Sequence, residues 1–113
     1  MTIIETERLI LRLWQKSDEQ EFFHINQDLK VLEFLPGPLS MQEVQNFIQR
    51  MNQQQHEKSY TLWATETKQD HKLIGYVGLN KPDFFPEVEI GWRLGSEYWG
   101  KGYATEAANA SLN

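Results

Sequence analysis

Residues 87–108 read EVEIGWRLGSEYWGKGYATEAA. Val88, Ile90, Trp92 and Leu94 alternate with Glu87, Glu89, Gly91 and Arg93, which predicts a strand with two unlike faces. Gly91 inside that strand suggests a bulge or the close approach of another backbone. Gly100 and Gly102 then break the pattern around Lys101, and the alanines after Tyr103 favour a helix. The first N–H groups of a helix have no partner, and its aligned peptide dipoles place partial positive charge there. Without Cβ atoms, the two glycines let the backbone turn sharply and approach an anion, with Lys101 adding charge at the rim. Neither common phosphate motif fits. A dinucleotide fingerprint needs a third small residue where Thr105 stands, and a P-loop needs Ser or Thr where Gly102 stands. The glycines alone leave both a structural turn and an anion cradle open.

Upstream, YTLWATET (60–67) and KLIGYVGLN (72–80) share the period of two. KQDH between them is short enough for a hairpin, and KPDFFP before the quoted strand is a slightly longer loop with two prolines. A three-strand antiparallel meander is the natural reading. Near the start, TERLILRLW (6–14) places Leu9, Leu11 and Leu13 on one face and Arg8, Ile10 and Arg12 on the other, a further strand. Ser17 with Gln20, and Ser40 with Glu43, each have the spacing of a reciprocal helix cap. They predict one helix from about Asp18 to Gln27, burying Phe22 and Ile25, and another from about Met41 to Gln55. Met41, Val44, Phe47, Ile48 and Met51 form the apolar stripe of the second, a core face. The order strand, helix, helix, three strands, helix, without repeats or linkers, predicts a single α+β (mixed α/β) domain over 1–113.

With 113 residues, 40% hydrophobic and 24% charged, the chain is long enough for one domain with a real core and too short for two domains. It has no cysteine, so disulfides, thiolate metal sites and a cysteine nucleophile are excluded. A net charge of -5 speaks against nonspecific nucleic-acid binding and mildly for a cationic ligand such as an amine. No apolar run is long enough to span a bilayer, and MTIIETERLILRLW does not look like a signal peptide. His24, His56 and His71 show no metal-ligand spacing.

TERLILR (6–12), LIGYVGLN (73–80), VEIGWRL (88–94) and YWGKGYATEAA (98–108), in this order and spacing, resemble the GCN5-related N-acetyltransferases (GNAT) and, within them, the RimJ/RimL-like branch. The resemblance covers essentially the whole chain. It implies acetyl transfer from acetyl-coenzyme A directly to a primary amine, either a protein N-terminal α-amine or a small amine, in the cytoplasm and without a metal. In the family's loop pattern (Arg or Gln, two variable residues, Gly, a variable residue, Gly or Ala), Gly100 and Gly102 match. Glu97 departs at the first position, and Ser96 stands where RimL-like chains often have proline.

By this resemblance the coenzyme's pyrophosphate rests on N–H groups of the loop, and its pantetheine arm lies along the backbone near Gly91 to Leu94. The implied cofactor contacts are Trp92, Arg93, Leu94, Glu97, Tyr98, Trp99, Gly100, Lys101, Gly102 and Tyr103. Tyr98 and Trp99 would wall the cofactor or serve the core, and the N–H of Trp92 would meet the thioester oxygen. An amine must lose its proton to attack, with a lysine pKa of about 10.4 and an α-amine of about 8. Glu89 is the candidate base; the alternative is a solvated glutamate or an ion pair with Arg93. The family's fold continues past the glycine-loop helix into segments that carry its usual tyrosine acid. The chain is therefore expected to be the N-terminal portion of a longer enzyme, with an exposed last strand that a second copy could pair. The rival reading is a module that binds coenzyme A or dimerises without turnover.

Overall fold

The computed structural model describes residues 2–33, 37–81 and 87–112. The leucine alternation after Thr6 does form a strand, but as half of a hairpin. Thr6 N–H donates to the Leu9 carbonyl at 2.9 Å, folding β1 (Thr2–Glu5) against β2 (Leu9–Arg12). The sequence reading missed β1 because its adjacent Ile3 and Ile4 do not alternate. The long helical crossover contains α1 (Asp18–Ile25), a single turn α2 (Leu29–Leu32) and α3 (Met41–Lys58). It returns to the meander β3 (Leu62–Thr67), β4 (Leu73–Asn80) and β5 (Glu89–Leu94). A 3-10 turn (Ser96–Tyr98) leads to α4 (Tyr103–Ser111). All neighbours in the five-stranded sheet, β1-β2-β3-β4-β5, are antiparallel. The prolines of the loop before β5 lie outside the described residues, as does Asn113.

Each sheet face has its own core. On one, Phe22 of α1 and Val44, Ile48 and Met51 of α3 pack on Leu62, Ala64 and Tyr76. On the other, Ala107 of α4 packs with Leu9, Leu11, Trp63, Ile74, Val77 and Leu94. Burial of these apolar side chains is what holds the helices to the sheet.

The two expected helix caps diverge. Ser40 and Glu43 form the reciprocal cap, with bonds of 3.1 and 3.0 Å. Ser17 makes no cap bond. Asp18 takes over, accepting from Gln15 N–H at 2.7 Å and from both terminal nitrogens of Arg12 at 2.8 and 2.9 Å. Arg12, which alternation sends to the polar face, is only 7% exposed. Its Nε also donates to Glu66 at 2.7 Å. Burial alone would lower the Arg12 pKa, but Asp18 and Glu66 outweigh it and raise it. Burial would likewise raise Glu66, and Arg12 with His71 pulls it down instead. A charge removed from water needs such paired, hydrogen-bonded partners.

The bulge expected at Gly91 lies across the sheet, in β4. Pairing between β4 and β5 runs without interruption from Gly75↔Leu94 to Asn80↔Glu89. Between β3 and β4 it shifts, because Thr65 and Glu66 face Gly75 and Leu73, leaving Ile74 unpaired. Gly75 has φ +144°, and a Cβ there would stand 2.0 Å from the Arg93 carbonyl oxygen. The bulge therefore forms at the glycine that can adopt this backbone and tolerate the approach of β5.

Candidate functional site

β5 ends at the glycine loop, and α4 starts immediately after it. Gly100 and Gly102 have φ +75° and +80°, the left-handed region in which a side chain is strained. Gly102 is the helix-capping residue and offers no side chain to the helix. The first intrahelical bond is Glu106 N–H to the Gly102 carbonyl, 3.0 Å. The N–H groups of Tyr103, Ala104 and Thr105 thus precede the regular helical ladder, at the positive end of the dipole. A Cβ at Gly100 would meet nothing within 4 Å, so its glycine serves backbone shape and leaves open space outside.

Two polar clamps hold this end, and both were missed in the sequence because their partners are far apart in the chain. Arg8, 98 positions before Glu106, donates from Nε to Glu106 Oε1 at 2.7 Å and from its backbone N–H to Oε2 at 2.9 Å. The Thr6 hydroxyl donates to the same carboxylate. Arg8 also donates to the Lys101 carbonyl at 2.9 Å and lies over the Tyr103 ring at 4.4 Å. Burial would raise the Glu106 pKa, but Thr6 and Arg8 together lower it. In the second clamp Asp28, capping α2, accepts from the Ser96 hydroxyl at 2.6 Å and from Ser96 N–H at 3.0 Å. The Ser96 hydroxyl is the main reason that the Asp28 pKa is lowered. Ser96, noted only as a departure from proline, therefore ties the loop to α2.

These elements enclose an open cleft of about 560 Å³. Trp92, Arg93 and Leu94 line it from β5, Tyr98, Trp99, Gly100 and Gly102 from the loop, and Tyr103 from α4. Val31, Ala104 and Thr105 complete the described lining and were not anticipated. None of these described residues is acidic. Trp92 is 60% exposed. Tyr98 lines the cleft and also packs partly against the core. The Trp99 indole donates to the Leu94 carbonyl at 2.9 Å, on the edge of β5 away from β4. Because a strand's polar groups alternate, the N–H of Trp92 faces that same outer edge. Among the described residues, no strand covers it.

Glu97 and Lys101 are exposed and lie outside the described lining. Glu89 is exposed at the start of β5, opposite Asn80, on the α3 side of the sheet that it shares with Arg93. Arg93 does not pair with it; its Nη1 donates to Asn26 Oδ1 at 2.7 Å. His24 contacts Gln20 at 3.0 Å and His71 contacts Glu66 at 3.1 Å. Among the described residues, no group of three or more His, Cys, Asp or Glu side chains is placed to hold a metal, and no helix is long and apolar enough to cross a membrane.

Comparison with known proteins agrees with this arrangement. The family model for the Acetyltransferase (GNAT) domain matches residues 8–113. The uncharacterized N-acetyltransferase YnaD of Bacillus subtilis (strain 168) is 30% identical over 112 residues, covering 96% of this chain and 62% of its own. An acetyltransferase (GNAT family) crystal structure from Bacillus anthracis superposes with a TM-score of 0.80 at 28% identity, covering 99% of this chain and 64% of its own. The ribosomal-protein-S5-alanine acetyltransferase of Vibrio fischeri gives a TM-score of 0.62 at 25% identity, with 99% of this chain and 65% of that one covered. The chain thus spans just under two thirds of the length of each of these three relatives. A glycine loop at the head of α4, the open edge of β5 and the match over 8–113 lead to one statement: the chain belongs to the GNAT acetyltransferase family.

Proposed function

We propose that this chain binds acetyl-coenzyme A in the 560 Å³ cleft and belongs to an enzyme that passes the acetyl group directly to a primary amine. The observation that carries the reading is the start of α4, without a side-chain cap, behind two left-handed glycines, opening beside the edge of β5 that no strand covers among the described residues. The fit to the coenzyme rests on the residues themselves. Three N–H groups precede the helical ladder, Gly100 leaves space outside the loop, and no described lining residue is acidic. The phosphates would lie at Gly100 to Thr105, and the pantetheine amides along the outer edge of β5.

Acetyl-coenzyme A, when bound, supplies an activated acyl thioester. The N–H of Trp92 is the donor for its carbonyl oxygen, and Glu89, directly or through water, is the acceptor for the amine proton. The Vibrio fischeri relative, a ribosomal-protein-S5-alanine acetyltransferase, supports a protein amine as acceptor, and the RimJ/RimL-like reading makes it an N-terminal α-amine met in the cytoplasm.

Thiol release from acetyl-coenzyme A in the presence of mixed primary amines tests the reading. Amine-dependent release, with a mass gain on the amine corresponding to one acetyl group, is expected. Saturable coenzyme A binding without thiol release for any amine would establish the binding-module alternative instead.

A further inference from the structure

A second groove, of about 630 Å³, lies on the α3 side of the sheet, and Arg93 lines both it and the glycine-loop cleft. Its floor and wall form a continuous series. The Arg50 guanidinium lies 5.9 Å from the Phe47 ring, the Phe47 and Tyr76 rings are 5.4 Å apart, and Arg93 lies 5.6 Å from the Tyr76 ring. Two cations thus flank a pair of rings in one groove.

Neither guanidinium has a carboxylate partner among the described residues. Arg93 gives one N–H to the neutral Asn26 side chain, and Arg50 has only its ring contact. Each guanidinium carries five donors, so most of them face the groove or solvent. The one acidic residue of the described lining, Glu43, already accepts the Ser40 N–H that caps α3. In a chain with 16 acidic and 11 basic residues, two arginines left without a carboxylate in one groove run against the overall charge.

We propose that this groove takes the acceptor, and that the acceptor amine carries an oxyanion, a carboxylate or a phosphate, read by Arg50 and Arg93 over the Phe47 and Tyr76 rings. The inference rests on the acetyl-transfer reading and names its substrate class. Guanidinium groups match planar or tetrahedral oxyanions through paired N–H bonds, and the rings beneath reduce competition from water. Because Arg93 borders both cavities, an acceptor held by its anionic end lies next to the donor cleft, on the face that also bears Glu89.

The test compares matched probes: the C-terminally amidated peptide Ala-Asp-Glu against amidated Ala-Asn-Gln, and phosphoethanolamine against ethanolamine. Acetylation kcat/KM is measured for each, together with backbone amide shifts on adding each probe alone. Loss of a charge-assisted hydrogen bond is worth about tenfold or more in affinity, so at least one anionic probe should exceed its neutral partner by about that factor. The peptide and phosphate arms show which oxyanion is preferred. Arg50→Gln, an exposed change, should bring that ratio towards one, and Arg50→Lys should restore part of it. Shifts at Phe47, Arg50, Tyr76 and Arg93 with the favoured probe are the expected binding signature. Equal kcat/KM within each pair, an unchanged ratio in Arg50→Gln, or shifts elsewhere would overturn the proposal. Groove shifts with an anionic probe but no thiol release with any amine would overturn acetyl transfer while supporting the groove's oxyanion preference.

Discussion

A Gly75→Ala chain will unfold more easily than the parent by about 2–6 kcal/mol, combining overpacking with backbone strain of about 1–3 kcal/mol each. The new Cβ would lie 2.0 Å from the Arg93 oxygen and 2.8 Å from the Leu94 Cα, both backbone atoms that no rotamer change can move aside. Its φ of +144° is also unfavourable for alanine. Relief requires β4 and β5 to separate where β5 supplies Arg93 and Leu94 to the cleft, so stability and coenzyme binding should fall together. In urea the midpoint should drop by about 2 M, for a slope of about 2 kcal/mol/M. Gly91→Ala is the informative contrast. Its Cβ would meet only the end of the Leu62 side chain at 3.2 Å, which can adjust. Equal midpoints for Gly75→Ala and the parent would remove the bulge from its place in the fold.

Glu89→Gln will lower kcat/KM for amine acetylation by about 100-fold or more near neutral pH, the usual scale for loss of a general base. The change is nearly isosteric at an exposed position opposite Asn80, so the fold and coenzyme affinity should be retained. The deficit should shrink as pH rises past the acceptor's own pKa, about 8 for an α-amine. Above that point the free amine is already neutral, so no base is needed to deprotonate it before attack, and the proton lost as the amide forms can pass to solvent or to the leaving thiolate. A full rate across the pH range would exclude Glu89 from the role. The alternative ion pair is disfavoured by geometry, since Arg93 is engaged by Asn26 at 2.7 Å.

What was legible in the sequence was local. The alternation before Gly95, the glycines at 100 and 102 and the Ser40–Glu43 cap each depend on residues a few positions apart, and each appears where expected. Contacts across long separations were not legible. Arg12 reads as a polar-face residue until α1 brings Asp18 beneath it and β3 brings Glu66, 54 positions away. Ser17 does not cap α1 because its own backbone is already helical, with φ -62° and ψ -17° where Ser40 is extended at φ -73° and ψ 165°. Gly75 and Gly91 look alike as glycines inside strands, and only the sheet register shows that the bulge belongs to Gly75. The clamps from Arg8 and Asp28 onto the glycine loop join segments 98 and 68 residues apart. The single turn of α2, which presents Asp28, is too short to leave a periodic pattern.

The central claim is that the start of α4 receives the coenzyme's phosphates. Titration of coenzyme A into the isotope-labelled chain, followed through backbone amide resonances, tests it at the atoms concerned. Saturable shifts largest at Gly100, Gly102, Tyr103, Ala104 and Thr105, with smaller ones along Trp92 to Leu94, are predicted. Saturable binding that leaves those amides unmoved, or no binding at millimolar coenzyme A, would contradict the account.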